Sequence, residues 1–152
     1  MIITLERDEI EYAASIGARR QIDAVLSGKK DSHGFNGDGW GIHIDGACGE
    51  LAVAKSIGCK WDATVNTFKV GGDVQNYQVR TRSKSYYDLI IREDDRDFDI
   101  FILVIGTIPT FNVVGWITGI LGKRSCWIKT FGNRPPAYFV PQSRLYPMTE
   151  LM

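Results

Sequence analysis

The 152-residue sequence lacks an excess of charge of either sign. Lysine and arginine together number 18, and aspartate and glutamate together also number 18. A chain without net charge has no whole-molecule attraction to nucleic acid or to anionic lipid. Any basic surface for such a partner must therefore be local. A single domain, residues 1–152, is expected, because this length buries enough apolar surface to fold without disulfide or metal staples.

Cysteine and histidine are also scarce. The three cysteines, Cys48, Cys59 and Cys126, show no CxxC spacing, and the N-terminus shows no charged-then-apolar leader. These features favour a reducing, cytoplasmic compartment and buried thiols. The two histidines, His33 and His43, lie in a segment rich in glycine and aspartate, which is more typical of a loop and a helix cap than of a metal cluster. No serine or cysteine lies in a recognised nucleophile motif.

One segment, Ile100 to Leu121, lacks charge altogether and is long enough to span a bilayer. Within it, Gly106 to Thr110 carries turn chemistry, and the flanks are rich in β-branched and aromatic residues. This composition favours two buried strands over one membrane helix. We therefore expect no association with a membrane.

Two helices are predicted before residue 60. The first lies within residues 1–28, where apolar residues recur at helical spacing, and Gly28 is its C-terminal stop. The second covers residues 45–58, with Asp45 as its N-cap and Gly58 as its stop.

The chain then turns β-like. About five short strands are expected over residues 60–117, in the segments KWDATVNTFKV, NYQVRTRS, YDLIIR, IFILVIG and FNVVGWI. The acidic connection Glu93 to Asp99 is expected to be a solvated loop, and residues 132–152 an extended tail with one further strand at Tyr138 to Val140. The element order predicts an α/β or α+β domain with two N-terminal helices on a mixed sheet.

Glu50 is unusual within the second helix. Residues three and four apart share a helical face, so Glu50 falls on an apolar stripe with Ala47, Ala54 and Ile57. One interpretation, favoured from the helix alone, is a glutamate at the edge of the stripe whose carboxylate reaches water. The other is a carboxylate pointed into a cleft, where a cation would offset its burial.

A row of polar side chains is predicted on the strand NYQVRTRS. Alternation along a strand places Gln78, Arg80 and Arg82 on one face. Asp73 precedes this row after two glycines, which permit a tight bend that would bring its carboxylate beside the start of the row. The simplest alternative is that the row is the solvated face of an edge strand.

The order of these residues resembles that of the PD-(D/E)XK, or restriction-endonuclease-like, nuclease superfamily. In that family a helical Glu, an Asp at the start of a strand and a (D/E)xK pair on the next strand hold magnesium and activate water. Glu50, Asp73, Gln78 and Arg80 occupy those positions in order. The segments GACGELAVAK, VNTFK, QVRTRS, GWITG and YFVPQSRL are also similar to a family of small uncharacterised phage and prophage proteins.

Two positions depart from the superfamily pattern. Gln78 stands where an acid is usual, and its neutral carbonyl oxygen binds a hard cation less strongly than a carboxylate does. Arg80 stands where a lysine is usual. Arginine stays protonated and cannot act as a general base, but it can orient a phosphate and stabilise the charge that develops on it.

The resemblance implies a metal-dependent, nuclease-like phage protein with a restriction-endonuclease-like sheet. Mg²⁺ would be held by Glu50, Asp73 and Gln78, with Arg80 steadying the phosphate. The residues that would contact the nucleic-acid backbone are Arg82, Lys84, Lys123 and Arg124.

The resemblance leaves several points open. The target would be nucleic acid, DNA before RNA, in the cytoplasm of a bacterial or phage-infected cell. The sequence allows a homodimer and a host protein partner. The alternatives to a nuclease are a catalytically inactive, nuclease-derived protein that binds nucleic acid, and a small interaction protein that inhibits a host enzyme.

Overall fold

The computed structural model describes residues 1–28, 38–65 and 72–152. These residues form one α+β domain with three helices and two sheets. In chain order the elements are β1 Ile2–Thr4, α1 Arg7–Leu26, α2 Gly39–Ile57, β2 Tyr77–Arg82, β3 Leu89–Ile91, β4 Ile100–Thr107, β5 Thr110–Thr118, α3 Gly119–Gly122, β6 Ile128–Lys129 and β7 Ala137–Val140.

The larger sheet is mixed and has the strand order β1-β5-β4-β2. Strand β2 runs parallel to β4, whereas the β4/β5 and β5/β1 pairs are antiparallel. The smaller sheet is antiparallel, with the order β3-β7-β6. Within the described ranges β2 is therefore an edge strand. The single sheet of about five strands expected from the sequence is instead a sheet of four and a sheet of three.

The two faces of the larger sheet bury two different apolar cores. Helix α2 packs on one face, where Val79, Ile102 and Val104 are buried, and α1 packs against α2. The smaller sheet lies against the other face, where Phe101 and Leu103 are buried. Strand β4 is therefore apolar on both faces, which explains its uninterrupted apolar sequence.

The charge-free segment folds as the strand pair β4 and β5, as the turn chemistry predicted. In the portions of the chain that the structure describes, no helix is both long enough and apolar enough to cross a membrane.

The first helix lies within its predicted range. It starts at Arg7, where the Glu6 backbone N–H donates to the Glu9 carboxylate at 2.6 Å. Gly28 follows its last turn with a φ of +66°, a backbone angle that glycine adopts without strain.

The second helix begins seven residues earlier than predicted. Its N-cap is Asp38, whose carboxylate accepts from the Trp40 backbone N–H at 3.0 Å, and Asp45 lies inside the helix. Gly39 and the other early glycines are poor helix formers and concealed the first turns. The end is as predicted, with Gly58 left-handed at a φ of +70°.

Most of the predicted strands are present. The segments from NYQVRTRS to FNVVGWI contain β2 to β5, and the predicted strand in the tail is β7. Strands β1 and β6 were not predicted. Of the first predicted strand, residues 60–65 are not extended in a sheet, and the remainder lies outside the described residues, as does His33. Of the three thiols predicted to be buried, Cys48 is buried, Cys59 is half-buried and Cys126 is exposed.

Candidate functional site

Close packing of α2 on β2 places Glu50 beside the sheet. Gly49 faces Thr81 so closely that a Cβ at Gly49 would lie 2.9 Å from the Thr81 Cβ. Only a glycine admits the strand at this distance. The next residue, Glu50, is consequently held between the helices and the edge of β2, and only 7% of its surface is exposed. The interpretation that its carboxylate reaches water is therefore wrong.

The cation that offsets the burial of Glu50 comes from α1. Arg20 donates from Nη1 to Oε1 at 2.8 Å and from Nη2 to Oε2 at 3.0 Å, and Trp61 Nε1 donates to Oε2 at 3.0 Å. Arg20 is itself fixed by a bond from Nε to the Thr64 carbonyl at 2.9 Å. Both oxygens of the Glu50 carboxylate are thus engaged by side chains of the protein. No local pattern in the sequence indicates that Arg20 or Trp61 would supply these contacts.

Asp73 lies close enough to influence Glu50. Burial raises the pKa of the Glu50 carboxyl, the Arg20 hydrogen bonds oppose that rise, and the negative charge of Asp73 adds to it. Asp73 sits in a tight turn, in which its backbone N–H donates to the Tyr77 carbonyl at 2.7 Å and its Oδ2 accepts from the Val79 N–H at 2.8 Å. The expected proximity of Asp73 to the start of β2 is therefore present.

The polar row of β2 lies on the side of the sheet away from α2. Thr81 contacts α2, so the alternating side chains of Gln78, Arg80 and Arg82 point to the side of the smaller sheet. Glu50 and this row consequently flank β2 from opposite sides. Asp73 lies near enough for its charge to raise the pKa of Glu50, but Gln78 does not lie on the Glu50 side of the strand.

Neither arginine of the row is simply solvated. Arg80 Nη2 donates to both carboxylate oxygens of Asp95, at 2.9 and 3.0 Å, and its guanidinium lies 5.0 Å from the Phe101 ring centroid. Arg82 Nη1 donates to the Asp88 carbonyl at 3.0 Å, and its guanidinium lies 4.0 Å from the Tyr87 ring centroid. These contacts hold both side chains in place, so the interpretation of a solvated edge does not apply to them.

The other residues predicted to contact the nucleic-acid backbone do not lie together. The side chain of Lys84 is exposed. Lys123 donates to the Glu93 and Asp95 carbonyls and, at 2.9 Å, to the Asp97 carboxylate. It therefore anchors the acidic connection Glu93 to Asp99, which is a largely exposed loop, as expected. Arg124 stacks 5.0 Å from the Trp127 ring centroid.

A cleft of about 510 Å³ lies along the edge of β2. We call it the arginine cleft after the four arginines that line it, which are Arg80, Arg82, Arg92 and Arg134. Two carboxylates, Asp45 and Glu50, line it from α2. Burial lowers the pKa of Arg82, and the neighbouring charges of Arg92 and Arg134 lower it further, against the opposing effects of Tyr87 and Asp88. Like charges therefore converge at this place, which is an arrangement that attracts an anion.

A second lobe of about 400 Å³ continues from this cleft, since Arg82, Arg92 and Arg134 line both. We call it the aromatic lobe after its aromatic residues, which are Tyr86, Tyr87, Phe131 and Phe139. Sequence reasoning missed Arg92, Arg134 and this lobe. Pairing of β3 with β7 brings the two segments together across more than 40 residues of sequence, and no local pattern reports such a pairing.

Across residues 1–28, 38–65 and 72–152, no group of three or more His, Cys, Asp and Glu side chains is arranged to hold a metal ion. The comparisons with known proteins add no family to this geometry: no family model, curated protein or solved structure matches the chain. The chemistry of the cleft residues is therefore the basis for assigning a function.

Proposed function

We propose that the protein binds nucleic acid through the arginine cleft without cleaving it, and that its main contacts are with the phosphate backbone. One observation carries the proposal: Arg82, Arg92 and Arg134 line the same cleft. The charges of Arg92 and Arg134 also lower the pKa of Arg82, after the larger effect of burial. Guanidinium groups donate paired hydrogen bonds to phosphate oxygens, and a bound phosphate would relieve their mutual repulsion.

The two carboxylates of the cleft do not cancel this attraction. Glu50 is already neutralised by Arg20 at 2.8 Å. Burial raises the pKa of Asp45, and the charge of Asp38 adds to this effect. Four arginines against these two carboxylates leave the lining of the cleft with an excess of basic side chains, on a chain that has no net charge.

The binding test uses fluorescence anisotropy with labelled single-stranded and duplex oligonucleotides. Arg134→Gln and Arg92→Gln should each weaken binding about tenfold, as expected when a charged hydrogen-bond donor is lost. Arg7→Gln is the matched control, because Arg7 lies on α1 with a side chain that is 91% exposed, away from the cleft. Equal affinities for all four proteins, with folding verified by circular dichroism, would refute binding at this cleft.

Metal-dependent cleavage of a phosphodiester is the second candidate, and one observation favours it. Asp73 raises the pKa of Glu50, so two carboxylates act on each other beside the cleft. A magnesium ion would supply an activated water and charge neutralisation. Glu50, Asp73 and Gln78 are the ligands that the PD-(D/E)XK resemblance assigns, with Arg80 beside the phosphate.

This donor set does not fit a metal ion as it is arranged. Both oxygens of Glu50 accept bonds from Arg20 and Trp61, and Gln78 lies on the other side of β2 from them. A cation would have to displace the guanidinium of Arg20. These contacts therefore favour binding without cleavage over metal-dependent cleavage.

Magnesium calorimetry separates the two candidates. Binding without cleavage predicts no magnesium-dependent heat in the wild type or in Asp73→Ala, and no cleavage of a labelled oligonucleotide that chelator abolishes. Magnesium binding and cleavage in the wild type, both lost in Asp73→Ala, would replace the first candidate by the second. The phage origin, DNA as the target, a cytoplasmic location, a homodimer and a host protein partner stay predictions from the sequence.

A further inference from the structure

The aromatic lobe joins two exposed rings to the positive charges of the arginine cleft. Tyr86 is 74% exposed and Phe131 is 55% exposed. Each is supported by a second ring: Tyr86 meets Tyr87 at a centroid distance of 5.1 Å, and Phe131 meets Phe139 at 5.0 Å, both edge to face. The lobe thus presents two rings that are held in position and still accessible to a ligand.

The charge of the lobe fits an anion. Four cationic side chains line it, namely Arg82, Arg92, Lys129 and Arg134, against the single carboxylate of Asp88. That carboxylate is partly countered by Lys129, whose Nζ lies 3.8 Å from its Oδ2. An occupant must therefore combine a flat apolar surface with negative charge nearby.

We propose that the aromatic lobe accepts an unpaired nucleobase, so that the preferred ligand is single-stranded or locally unpaired nucleic acid. This inference rests on the proposed binding of phosphates in the arginine cleft. A base stacked on Tyr86 or Phe131 would place its own phosphate at the arginines that line both the arginine cleft and the aromatic lobe. In an intact duplex the base faces are covered by their neighbours and cannot reach these rings.

The size of the lobe agrees with such a ligand. Its volume of about 400 Å³ falls within the range of roughly 300–1,000 Å³ that is usual for small-ligand sites. Stacking of a base on an aromatic ring is tolerant of sequence, because every base has a flat face. The lobe therefore selects for an unpaired base and not for a particular base.

The test compares three labelled ligands of equal length by fluorescence anisotropy: an oligothymidylate strand, the same strand with abasic sites, and a duplex. The oligothymidylate strand should bind at least about tenfold more tightly than the other two, in keeping with the contribution of one stacked base. Phe131→Ala and Tyr86→Ala should reduce the affinity for oligothymidylate toward that for the abasic strand.

Two controls separate stacking from folding. Phe98→Ala removes a ring that is 89% exposed and lines neither lobe, and it should leave binding unchanged. Phe131→Tyr keeps the ring and should retain binding.

Each remaining outcome counts against the inference. If the abasic strand or the duplex binds as tightly as oligothymidylate while Arg134→Gln still weakens binding, the base pocket is refuted and the arginine cleft stands. If none of the three ligands binds, the pocket and the proposed function both fail.

Discussion

Arg20 neutralises Glu50, the buried acid that lines the arginine cleft from α2. Their paired hydrogen bonds join two side chains that are almost withdrawn from water. Removing one partner of a buried ion pair leaves an uncompensated charge, which costs about 3–5 kcal/mol. Arg20→Ala should therefore lower the free energy of unfolding by about that amount, as measured by urea denaturation at neutral pH.

The matched control is the exposed pair on the same helix. Arg7 Nε lies 3.0 Å from the Glu11 carboxylate, and both side chains are mostly in water. Arg7→Ala should change the free energy of unfolding by about 0.5 kcal/mol or less, because exposed pairs are screened. A similar small effect for Arg20→Ala would show that Glu50 is not buried as described.

The pKa of Glu50 should report the distance to Asp73. Burial is the main cause of the raised pKa, and the charge of Asp73 contributes to it. Asp73→Asn should therefore lower the pKa of Glu50, as followed by a carbon-13 NMR titration of the carboxyl group. Asp62→Asn, a change at an exposed aspartate, is the control and should leave this pKa in place. An unchanged value in Asp73→Asn would contradict their proximity.

The raised pKa of Glu50 also makes the stability of the fold depend on pH. The folded-state pKa of Glu50 lies above its ordinary value of 4.5, so the folded protein holds this proton more tightly than the unfolded chain. The contribution of Glu50 to stability is therefore fully present below pH 4.5 and is lost as the pH rises through the folded-state pKa. Asp73→Asn should bring the folded-state pKa of Glu50 closer to 4.5 and so narrow the pH range over which this stability is lost.

The sequence identified Glu50 as unusual but not the contacts that determine its chemistry. Helical spacing placed it on an apolar stripe, and burial of a carboxylate requires a compensating cation. Which of 18 basic residues would supply it depends on how α1 lies across α2. The same reason hid Asp95, the partner of Arg80, since both contacts join segments that local patterns treat separately.

At the level of elements, contact between α2 and β2 fixes the position of the site. Gly49 is in direct contact with Thr81, and an added methyl group would force the helix from the strand. Gly49→Ala should lower the free energy of unfolding by about 1–3 kcal/mol, the usual cost of overpacking a close interface. Thermal and urea denaturation measure the change.

Gly46 supplies the control for this prediction. It lies in the same helix, and a Cβ added there would have no atom within 4 Å. Gly46→Ala should raise the stability by about 0.5–1 kcal/mol, since alanine is the better helix former. If both alanine variants were stabilised, the close approach of α2 to β2 would be wrong.

Periodicity predicted the interior of most elements but not how they associate. The alternation of NYQVRTRS and the apolar runs of β4 and β5 depend on local burial, so they are visible in the sequence. The division into two sheets depends on pairing of β3 with the distant β7. The early start of α2 was hidden because its cap, Asp38, is followed by glycines that usually mark a loop.

At the scale of the whole molecule, the balanced net charge and the arginine cleft predict different effects of salt on the affinity for nucleic acid. A chain with 18 basic and 18 acidic residues has little long-range attraction to a polyanion. Salt dependence of binding would then come from the few phosphates that contact the cleft. Single-strand binding loses affinity with a slope of about −0.7 per phosphate in a plot of log K against log salt.

Three phosphates at Arg82, Arg92 and Arg134 would give a slope of about −2 for single-stranded DNA. Anisotropy titrations between about 50 and about 200 mM salt measure this slope. Arg134→Gln should reduce the slope by about 0.7, whereas Arg7→Gln should not change it, because Arg7 lies outside the cleft. A slope near zero would show that the convergent arginines do not contact phosphate. A much steeper slope, unaffected by Arg134→Gln, would place the polyanion on another surface of the molecule.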